Sequence, residues 1–486
     1  MTHMSVSLPA VGRSLKGWLV RHRFALALSQ RRALLVAGDL LVINLSVLVS
    51  SYLWAWRGEI PFDRAFLGTQ LQWFAGLSLL WLVMAWAGDL YVAAVSSRRS
   101  ETARRLGGIG AGQAALYLVA FFLAPREALP RLFFLYHLLI SIPAILLWRW
   151  GYVTLITRSV FRQRLVIVGA GWAGRTIADA LQRYASRDYH LVGFVDDDPG
   201  KAHDNGCPVP VVGTSACLQE LVRRRQIDSV VVAIRGTMRA DLFQRLLDCQ
   251  AAGVPVIRMT ALYEAITGRV PVQHVRDDWM LPADIEGGQQ GWVYRLFSLV
   301  VDWVFGLGCL SLTAVLWPFI ILAIQLDSPG PVLYKQTRSG LGGRIFWVYK
   351  FRSMAASAEE DGVARWAAAN DRRVTRVGRF LRCTHLDELP QVLNVLRGDM
   401  RLIGPRPERP EFMETLQQQI PFYRARLAVK PGLTGWAQVR FGYGNTVEDT
   451  LIKLQYDLYY IRHRSIALDL LILLKTVGVV LTFRGM

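Results

Sequence analysis

The chain has 486 residues, 52% of them hydrophobic, and a formal net charge of +19. This length predicts more than one domain, and the apolar fraction is typical of a membrane protein. The charge is spread among hydrophobic segments without a recognisable nucleic-acid module, so we exclude nucleic acid and expect anionic lipid and phosphorylated partners. The five cysteines are scattered without a CxxC pair, which excludes a disulfide framework or a cysteine metal site and predicts free thiols.

Four apolar runs in the first third of the chain approach the roughly 20 residues that a membrane-spanning helix needs. The runs are residues 33–56, 65–88, 106–124 and 132–148. Arginine and lysine are concentrated before the first run and between the second and third, which predicts that both ends of the bundle are cytoplasmic. The first run is long and begins only after Arg32, so we expect it to stay in the membrane rather than be cleaved as a signal.

Two polar residues, Asp39 and His137, fall inside apolar runs. An ionisable residue within a membrane span is a functional-site hypothesis by default. Asp39 stands a turn or two from the cytoplasmic end of its span, where we expect it to reach water or a lipid headgroup.

The segment Leu165–Gly174 predicts a buried strand that leads into a glycine turn and a helix. Gly169, Gly171 and Gly174 form a GxGxxG fingerprint, and Asp196 ends a second strand at the distance of a ribose-binding acid. These features predict a Rossmann-like α/β domain over residues 160–275. This domain contains no recognisable set of catalytic residues. The Tyr-x-x-x-Lys pair expected of a nicotinamide-dependent oxidoreductase does not follow the fingerprint, so we expect a structural or regulatory role rather than cofactor turnover.

The run from Leu296 to Leu326 carries one charge, Asp302, and is interrupted by Pro318. A fifth span would place the following residues outside the cell, yet Lys335, Arg338 and Arg344 are charges that usually stay inside. A re-entrant helix that breaks near Pro318 and leaves by the same face avoids this conflict, because proline removes one helical hydrogen bond.

Leu389, Val392, Leu393 and Leu396 recur at helical spacing, and Gly398 stands where the helix would stop. Pro390 fits only a first turn, so the helix is predicted to begin near Asp387, with Asp387 and Glu388 at the positive end of its dipole. Adjacent ionised carboxylates can attack phosphorus and hold a divalent cation. An acidic N-cap without function is the alternative interpretation.

Four further segments flank this helix: Lys350–Met354, Asn370–Arg379, Gly404–Pro407 and Lys430–Gln438. With the Asp-Glu pair, they closely resemble the polyprenyl-phosphate hexose-1-phosphate transferases, bacterial membrane enzymes that start exopolysaccharide and O-antigen synthesis. The resemblance covers roughly residues 292–486. The segments Gly444–Leu451 and Lys453–Asp457 further resemble an exosortase-associated subgroup.

The resemblance implies transfer of a sugar-1-phosphate from a UDP-sugar to polyprenyl phosphate, with release of UMP. It implies that Asp387 is the nucleophile of an aspartyl phosphosugar and that Glu388 holds Mg²⁺. Arg382 is assigned to phosphate as a third catalytic residue, and Lys350, Arg352 and Arg406 to substrate binding. Tyr456 and Asp457 match a family motif without a derived role.

Family members also have a re-entrant helix, and nucleotide sugars are cytoplasmic, so we expect a cytoplasmic catalytic domain on the bacterial inner membrane. The resemblance further suggests a homodimer. A nucleotide-binding scaffold or sensor without turnover is the alternative, and a membrane-tethered nicotinamide oxidoreductase is a third.

The predicted fold is a multi-domain membrane protein with a four-helix transmembrane bundle, a Rossmann-like domain, a re-entrant helix and a small α/β catalytic domain. Its predicted boundaries are 1–157 for the N-terminal arm and bundle, 160–275 for the Rossmann-like domain, 276–293 for a linker, 294–327 for the re-entrant helix, 328–465 for the catalytic domain, and 466–486 for an interfacial helix.

Overall fold

The computed structural model describes residues 28–96, 99–123, 131–156, 162–201, 209–224, 226–234, 236–274, 291–355, 371, 373–442, 444 and 446–481. The predicted N-terminal arm up to residue 27 and most of the predicted linker lie outside these residues. The chain divides into two compact units, Met1–Leu262 and Tyr263–Met486.

The first unit begins with helices and continues into an α/β sheet. Its elements are α1 (Leu28–Arg57), α2 (Arg64–Thr69), α3 (Leu71–Ala87), α4 (Ala93–Ser96), α5 (Arg99–Leu123), α6 (Arg131–Ile156), β1 (Gln163–Val168), α7 (Trp172–Tyr184), β2 (Tyr189–Val195), β3 (Val211–Gly213), α8 (Leu218–Arg224), β4 (Ser229–Val232), α9 (Ala240–Ala251), β5 (Val256–Arg258) and α10 (Met259–Thr267), the last of which continues into the second unit.

Four long helices, α1, α3, α5 and α6, occupy the predicted apolar runs. By length and composition α1 and α6 can cross a membrane, and α3 is apolar but shorter. Helix α1 packs against α3 and α6, and α5 packs against α6. The helices bury Ile43, Trp81 and Ile145 in a shared core. Other apolar side chains of the same helices, such as Leu41 and Leu147, are exposed on their outer faces.

Asp39 is fully buried rather than open to water. Its Oδ2 lies 2.5 Å from Nη2 of Arg149 and accepts from the Tyr91 hydroxyl at 3.0 Å. A charge among apolar helices is retained when an opposite charge and hydrogen bonds compensate it, which corrects the expected exposure of this residue. His137 is also buried and hydrogen-bonds Ser46 through Nδ1.

The α/β domain is a five-stranded parallel sheet of order β3-β2-β1-β4-β5, so a parallel-sheet α/β domain is present where it was predicted. Gly169 has φ +107°, and a Cβ there would lie 2.9 Å from the Ala233 carbonyl oxygen. A Cβ at Gly174 would lie 2.0 Å from the Gly169 oxygen. These two glycines are therefore required by the turn and by helix packing, whether or not a ligand binds.

The second unit is built on one long helix and two small sheets. Its elements after α10 are α11 (Trp292–Asp327), β6 (Leu333–Ser339), β7 (Ile345–Phe351), α12 (Arg376–Cys383), α13 (Val392–Arg397), β8 (Arg401–Ile403), α14 (Pro410–Gln419), β9 (Gly432–Thr434), α15 (Trp436–Arg440), α16 (Val447–His463) and α17 (Ile466–Leu481). Strands β6 and β7 form an antiparallel hairpin, and β8 pairs in parallel with β9.

Helix α11 is continuous over 36 residues and contains Pro318 without an interruption of helical structure, so the predicted break is not seen there. Its first half is tied to β8, because Asp302 accepts from the Leu402 N–H at 2.9 Å and from Arg401 Nε at 3.1 Å. Its second half packs through Ile324 on a core that includes Phe351 of β7. Both halves therefore contact the same globular unit.

Residues after Leu262 pack into the second unit, although the sequence assigned them to the Rossmann-like domain. Val270 and Val272 are buried in one core with Leu454 and Leu458. The indole N–H of Trp436 donates to the Gly268 carbonyl at 3.0 Å. The globular unit thus begins near Tyr263 rather than after residue 275.

Candidate active site

The predicted catalytic helix starts with a tighter turn than expected. His385 adopts the left-handed conformation (φ +59°) ahead of a 3₁₀ segment, Leu386–Gln391, that contains Pro390. Regular α-helix follows only at Val392, and Gly398 ends it with φ +82°. The start and stop signals were therefore located correctly, but the first turn is 3₁₀ and the α-helix is only six residues long.

Asp387 and Glu388 stand side by side in this 3₁₀ turn. The Asp387 side chain is buried. Lys350, on β7, donates to Glu388 Oε1 at 2.7 Å. Arg406, in the loop after β8, donates to both carboxylate oxygens of Glu388, and its Nη1 lies 3.2 Å from Oε2. Three separate elements thus place two carboxylates and two cations together.

The two carboxyl groups have opposite pKa shifts. Burial raises the pKa of Asp387 to about 6, an effect that Lys350 opposes and that the neighbouring Glu388 charge reinforces. Burial also acts to raise the pKa of Glu388, but Arg406 and Lys350 outweigh it and hold that pKa well below its usual range. Separate environments, rather than a helix dipole acting equally on both, determine their ionisation.

Arg382 is the last-turn arginine of α12, and its charge acts on Asp387. Its Nη1 is buried and has no hydrogen-bond partner among the described residues. The same holds for Nε2 of His385 and Nε2 of Gln391. Buried polar groups are normally hydrogen-bonded, so three unpaired side-chain nitrogens around the Asp-Glu pair indicate that a ligand or water supplies the missing partners.

Arg352 takes a different position from the other predicted substrate-binding cations. Its guanidinium donates to the carbonyl oxygens of Ser328 and Pro329 at 2.6 and 2.8 Å. These carbonyls follow the end of α11, so the contacts tie this helix to the end of β7. The structure therefore groups Lys350, Arg406 and Arg382 around the carboxylates and gives Arg352 a structural contact.

Asp457, for which the sequence offered no role, is buried in α16 and pairs with Arg426 at 2.9 Å. Arg426 was missed, because the segment Tyr423–Ala428 carries no motif that distinguishes it from a surface cation. Tyr456 lies in a core with Trp436 and contacts the Arg269 guanidinium. Only contacts between distant segments of the chain reveal these roles.

The carboxylate pair fits a magnesium ion that is completed by substrate. Mg²⁺ in proteins commonly takes one or two carboxylates together with waters and substrate phosphates. The described residues contain no group of three or more His, Cys, Asp or Glu arranged for a metal. Asp387 and Glu388 can therefore supply only part of a coordination shell.

The glycine turn of the α/β domain binds a side chain of its own domain. Asp196 Oδ2 accepts from the Ala170 N–H at 2.7 Å, and Oδ1 accepts from the Asp198 N–H at 3.0 Å. Lys201 lies 3.2 Å from the same carboxylate. The expected ribose-binding acid is thus engaged within its own domain.

Comparison with known proteins identifies two regions of similarity. Residues 293–483 match the family model described as bacterial sugar transferase, and residues 87–257 match a model described as CoA-binding domain. A UDP-glucose:undecaprenyl-phosphate glucose-1-phosphate transferase of Xanthomonas campestris pv. campestris is 31% identical over 470 residues, covering 90% of this chain and 93% of that protein.

Two other relatives match over shorter regions. The UDP-glucose:undecaprenyl-phosphate glucose-1-phosphate transferase of Escherichia coli (strain K12) is 36% identical, covering 65% of this chain and 68% of that protein. A UDP-N-acetylgalactosamine-undecaprenyl-phosphate N-acetylgalactosaminephosphotransferase of Aeromonas hydrophila is 41% identical, but the match spans only 60% of that protein and 53% of this chain.

Proposed function

The chain belongs to the bacterial sugar transferase family, as an undecaprenyl-phosphate sugar-1-phosphate transferase, and from this premise we propose that it works through a covalent intermediate on Asp387. The donor is a UDP-sugar, the acceptor is undecaprenyl phosphate and the released nucleotide is UMP. This enzymatic role replaces the scaffold alternative. The engaged Asp196 carboxylate in the glycine turn also disfavours a nicotinamide reaction.

The observation that carries the proposal is the asymmetry of the carboxylate pair. Glu388 is held by two cations, Lys350 and Arg406, whereas no hydrogen bond to the Asp387 carboxylate is seen among the described residues. Desolvation makes an ionised carboxylate a better nucleophile, and the nearby cations neutralise the charge of an incoming diphosphate. Asp387 is therefore the group free to react.

In the first step an Asp387 oxygen attacks the phosphorus that carries the sugar, and the bond from that phosphorus to the bridging oxygen of the diphosphate breaks. UMP leaves with the bonding electron pair. In the second step an oxygen of undecaprenyl phosphate attacks the same phosphorus and the acyl phosphate bond breaks. The products are undecaprenyl diphosphate sugar and regenerated Asp387.

Lys350, Arg406 and Arg382 supply the positive charge that both steps require. About half of the Arg406 side chain is exposed, at 47%, so it can turn from Glu388 to a phosphate without leaving the site. Glu388, with help from Asp387, would hold the Mg²⁺ proposed for this enzyme. A bound Mg²⁺ would neutralise diphosphate charge.

We also propose that both ends of α11 and the catalytic domain lie on the cytoplasmic side of the bacterial inner membrane. Thirty-six helical residues extend roughly 54 Å, more than the roughly 30 Å hydrocarbon core. A perpendicular span would separate its two ends by the whole bilayer. Asp302 and Ile324 instead contact the same globular unit, which favours a position with both ends of the helix at one face of the membrane.

The test uses the full chain in detergent with undecaprenyl phosphate, Mg²⁺ and a panel of UDP-glucose, UDP-galactose and UDP-N-acetylgalactosamine. We expect repeated turnover, with many UMP released per chain, only when lipid phosphate and one matching UDP-sugar are both present. Without lipid phosphate, intact-mass analysis should find one phosphosugar per chain, located on Asp387. Release of UDP, or an adduct on another residue, would refute the mechanism.

A further inference from the structure

Asp457 lies in the middle of helix α16 with only 2% of its surface exposed. A buried carboxylate is costly unless a cation and hydrogen bonds compensate it. Arg426 meets this need, because its Nη2 lies 2.9 Å from Asp457 Oδ2. The Arg426 Nη1 also donates to the Tyr423 hydroxyl oxygen at 2.7 Å, so the guanidinium has a fixed orientation.

The same guanidinium reaches the backbone of the active-site loop. Nη2 of Arg426 donates to the carbonyl oxygen of Arg406 at 2.9 Å. On the other side of this loop, a Cβ at Gly404 would lie 2.7 Å from the Lys430 carbonyl oxygen, which shows how closely the loop packs on the segment before β9. The backbone at Arg406 is thus held between a tight packing contact at Gly404 and one partly buried hydrogen bond.

We propose that Arg426 and Asp457 are positioning residues that fix the Arg406 backbone through its carbonyl, so that the Arg406 guanidinium can reach the diphosphate. This inference rests on the phosphate-binding role proposed above for Arg406. The planar guanidinium of Arg426 connects a carboxylate, a hydroxyl and a carbonyl in a single orientation. Lysine would preserve the charge at position 426, but it lacks the several N–H donors in one plane that let arginine contact all three groups.

The test is a double-mutant cycle on kcat/KM for the UDP-sugar that supports turnover, with the full chain in detergent. The variants are Arg406→Ala, Asp457→Asn and the double variant. We expect Asp457→Asn to lower kcat/KM roughly 10- to 100-fold, the scale of a small misplacement of a catalytic group. In the Arg406→Ala background it should cause no further loss, because the group that it positions is already absent.

Arg426→Lys is the second variant, since it keeps a cation beside Asp457 and is less disruptive to folding. It should lower kcat/KM on the same scale, with a melting temperature close to that of the wild type. Glu264→Gln is the matched control. It removes another buried carboxylate that pairs with α16, through Arg462 and His463, and we expect it to leave kcat/KM unchanged.

Three results would overturn the proposal in distinguishable ways. Wild-type kcat/KM in both Asp457→Asn and Arg426→Lys, with a loss in Arg406→Ala, would reject the positioning role and leave the proposed function intact. A loss from Asp457→Asn that multiplies with that of Arg406→Ala would show that Asp457 acts on the fold generally. Wild-type kcat/KM in Arg406→Ala would reject the phosphate role on which the inference rests.

Discussion

At the scale of single residues, the sequence identified cations that lie beside the Asp387-Glu388 pair but not which carboxylate each of them contacts. The family resemblance was enough to group Lys350 and Arg406 with the carboxylates. It did not separate Arg352, whose carbonyl partners depend on where α11 ends. The opposite pKa shifts of Asp387 and Glu388 were also unpredictable, because they depend on burial and on which cation reaches which oxygen.

Asp387→Asn should abolish turnover and stabilise the fold at neutral pH. The folded-state pKa of Asp387 is raised from 3.8 to about 6, so ionisation of this side chain lowers the free energy of unfolding progressively between these pH values and fully above pH 6. Asparagine removes a cost on the order of 1 to 3 kcal/mol. Thermal unfolding at pH 7.5 should show a higher melting temperature for the variant, a gain that disappears near pH 3.5.

Glu388→Gln should have the opposite effect on stability. The pKa of Glu388 is held well below its usual range, so its charge stabilises the fold above about pH 4.5, and this stabilisation is lost as pH falls through the lower folded-state value. The glutamine variant should lose on the order of 2 kcal/mol at pH 7.5, the value of charge-assisted hydrogen bonds, and should also lose activity. A variant as stable as Asp387→Asn at that pH would contradict the assigned asymmetry.

Formation of the covalent adduct should fall about tenfold per pH unit below pH 6. Only ionised Asp387 can attack, and its pKa of about 6 sets the midpoint. The measurement is single-turnover adduct formation from UDP-sugar without lipid phosphate, because a phosphate monoester itself titrates near pH 6. A rate independent of pH between 5 and 8 would argue against a nucleophile in this environment.

At the scale of elements, the apolar runs and the glycines at turns correctly located the long helices and the strands of the sheet. The predicted break in helix α11 was wrong, since Pro318 does not interrupt the helix. A proline within a long helix removes one hydrogen bond, and the surrounding packing can retain the remaining helical structure. The 3₁₀ turn before Val392 was equally hidden, because Pro390 fits the first turn of either helix type.

A cysteine at Gly291 and a cysteine at Arg344 should both be labelled only from the cytoplasmic side. These positions flank α11, and both are exposed. The labels are applied to intact cells and then to inverted membrane vesicles, with native cysteines replaced by serine. Labelling of the two positions from opposite sides would show that α11 spans the membrane.

At the scale of the whole molecule, composition predicted a multi-domain membrane protein, and motif order located its catalytic part. The boundary between the two compact units was predicted about 12 residues too late. Residues 263–274 carry no sequence motif that shows whether they pack on the preceding α/β domain or on the following unit. Their membership is decided by packing of Val270 and Val272 against α16, which sequence spacing does not encode.

A chain of residues 263–486 should release UMP from the matching UDP-sugar, whereas residues 291–486 should be markedly less stable. The shorter chain lacks Val270 and Val272 and leaves the Trp436 indole without its carbonyl partner. Deleting two buried valines costs several kcal/mol on the usual scale for lost core side chains. Thermal unfolding and UMP release of both chains in nanodiscs test this expectation.

An inactive but folded 263–486 chain would contradict the separation of chemistry from the first unit. The full-length chain serves as the positive control. A Gly171→Trp variant of the full-length chain tests whether the glycine turn takes part, and it should keep wild-type UMP release.

The buried pair of Asp39 and Arg149 has a consequence for biogenesis. The two residues are 110 positions apart, so at roughly 5 to 20 residues per second the ribosome completes α1 on the order of 5 to 20 seconds before it reaches Arg149. During that interval the carboxylate of the first helix lacks its arginine partner, at a cost below the roughly 3 kcal/mol of a charge at the centre of an inserting segment, because Asp39 lies nearer one end. We therefore expect the ion pair to form only after α6 has been synthesised and packs against α1.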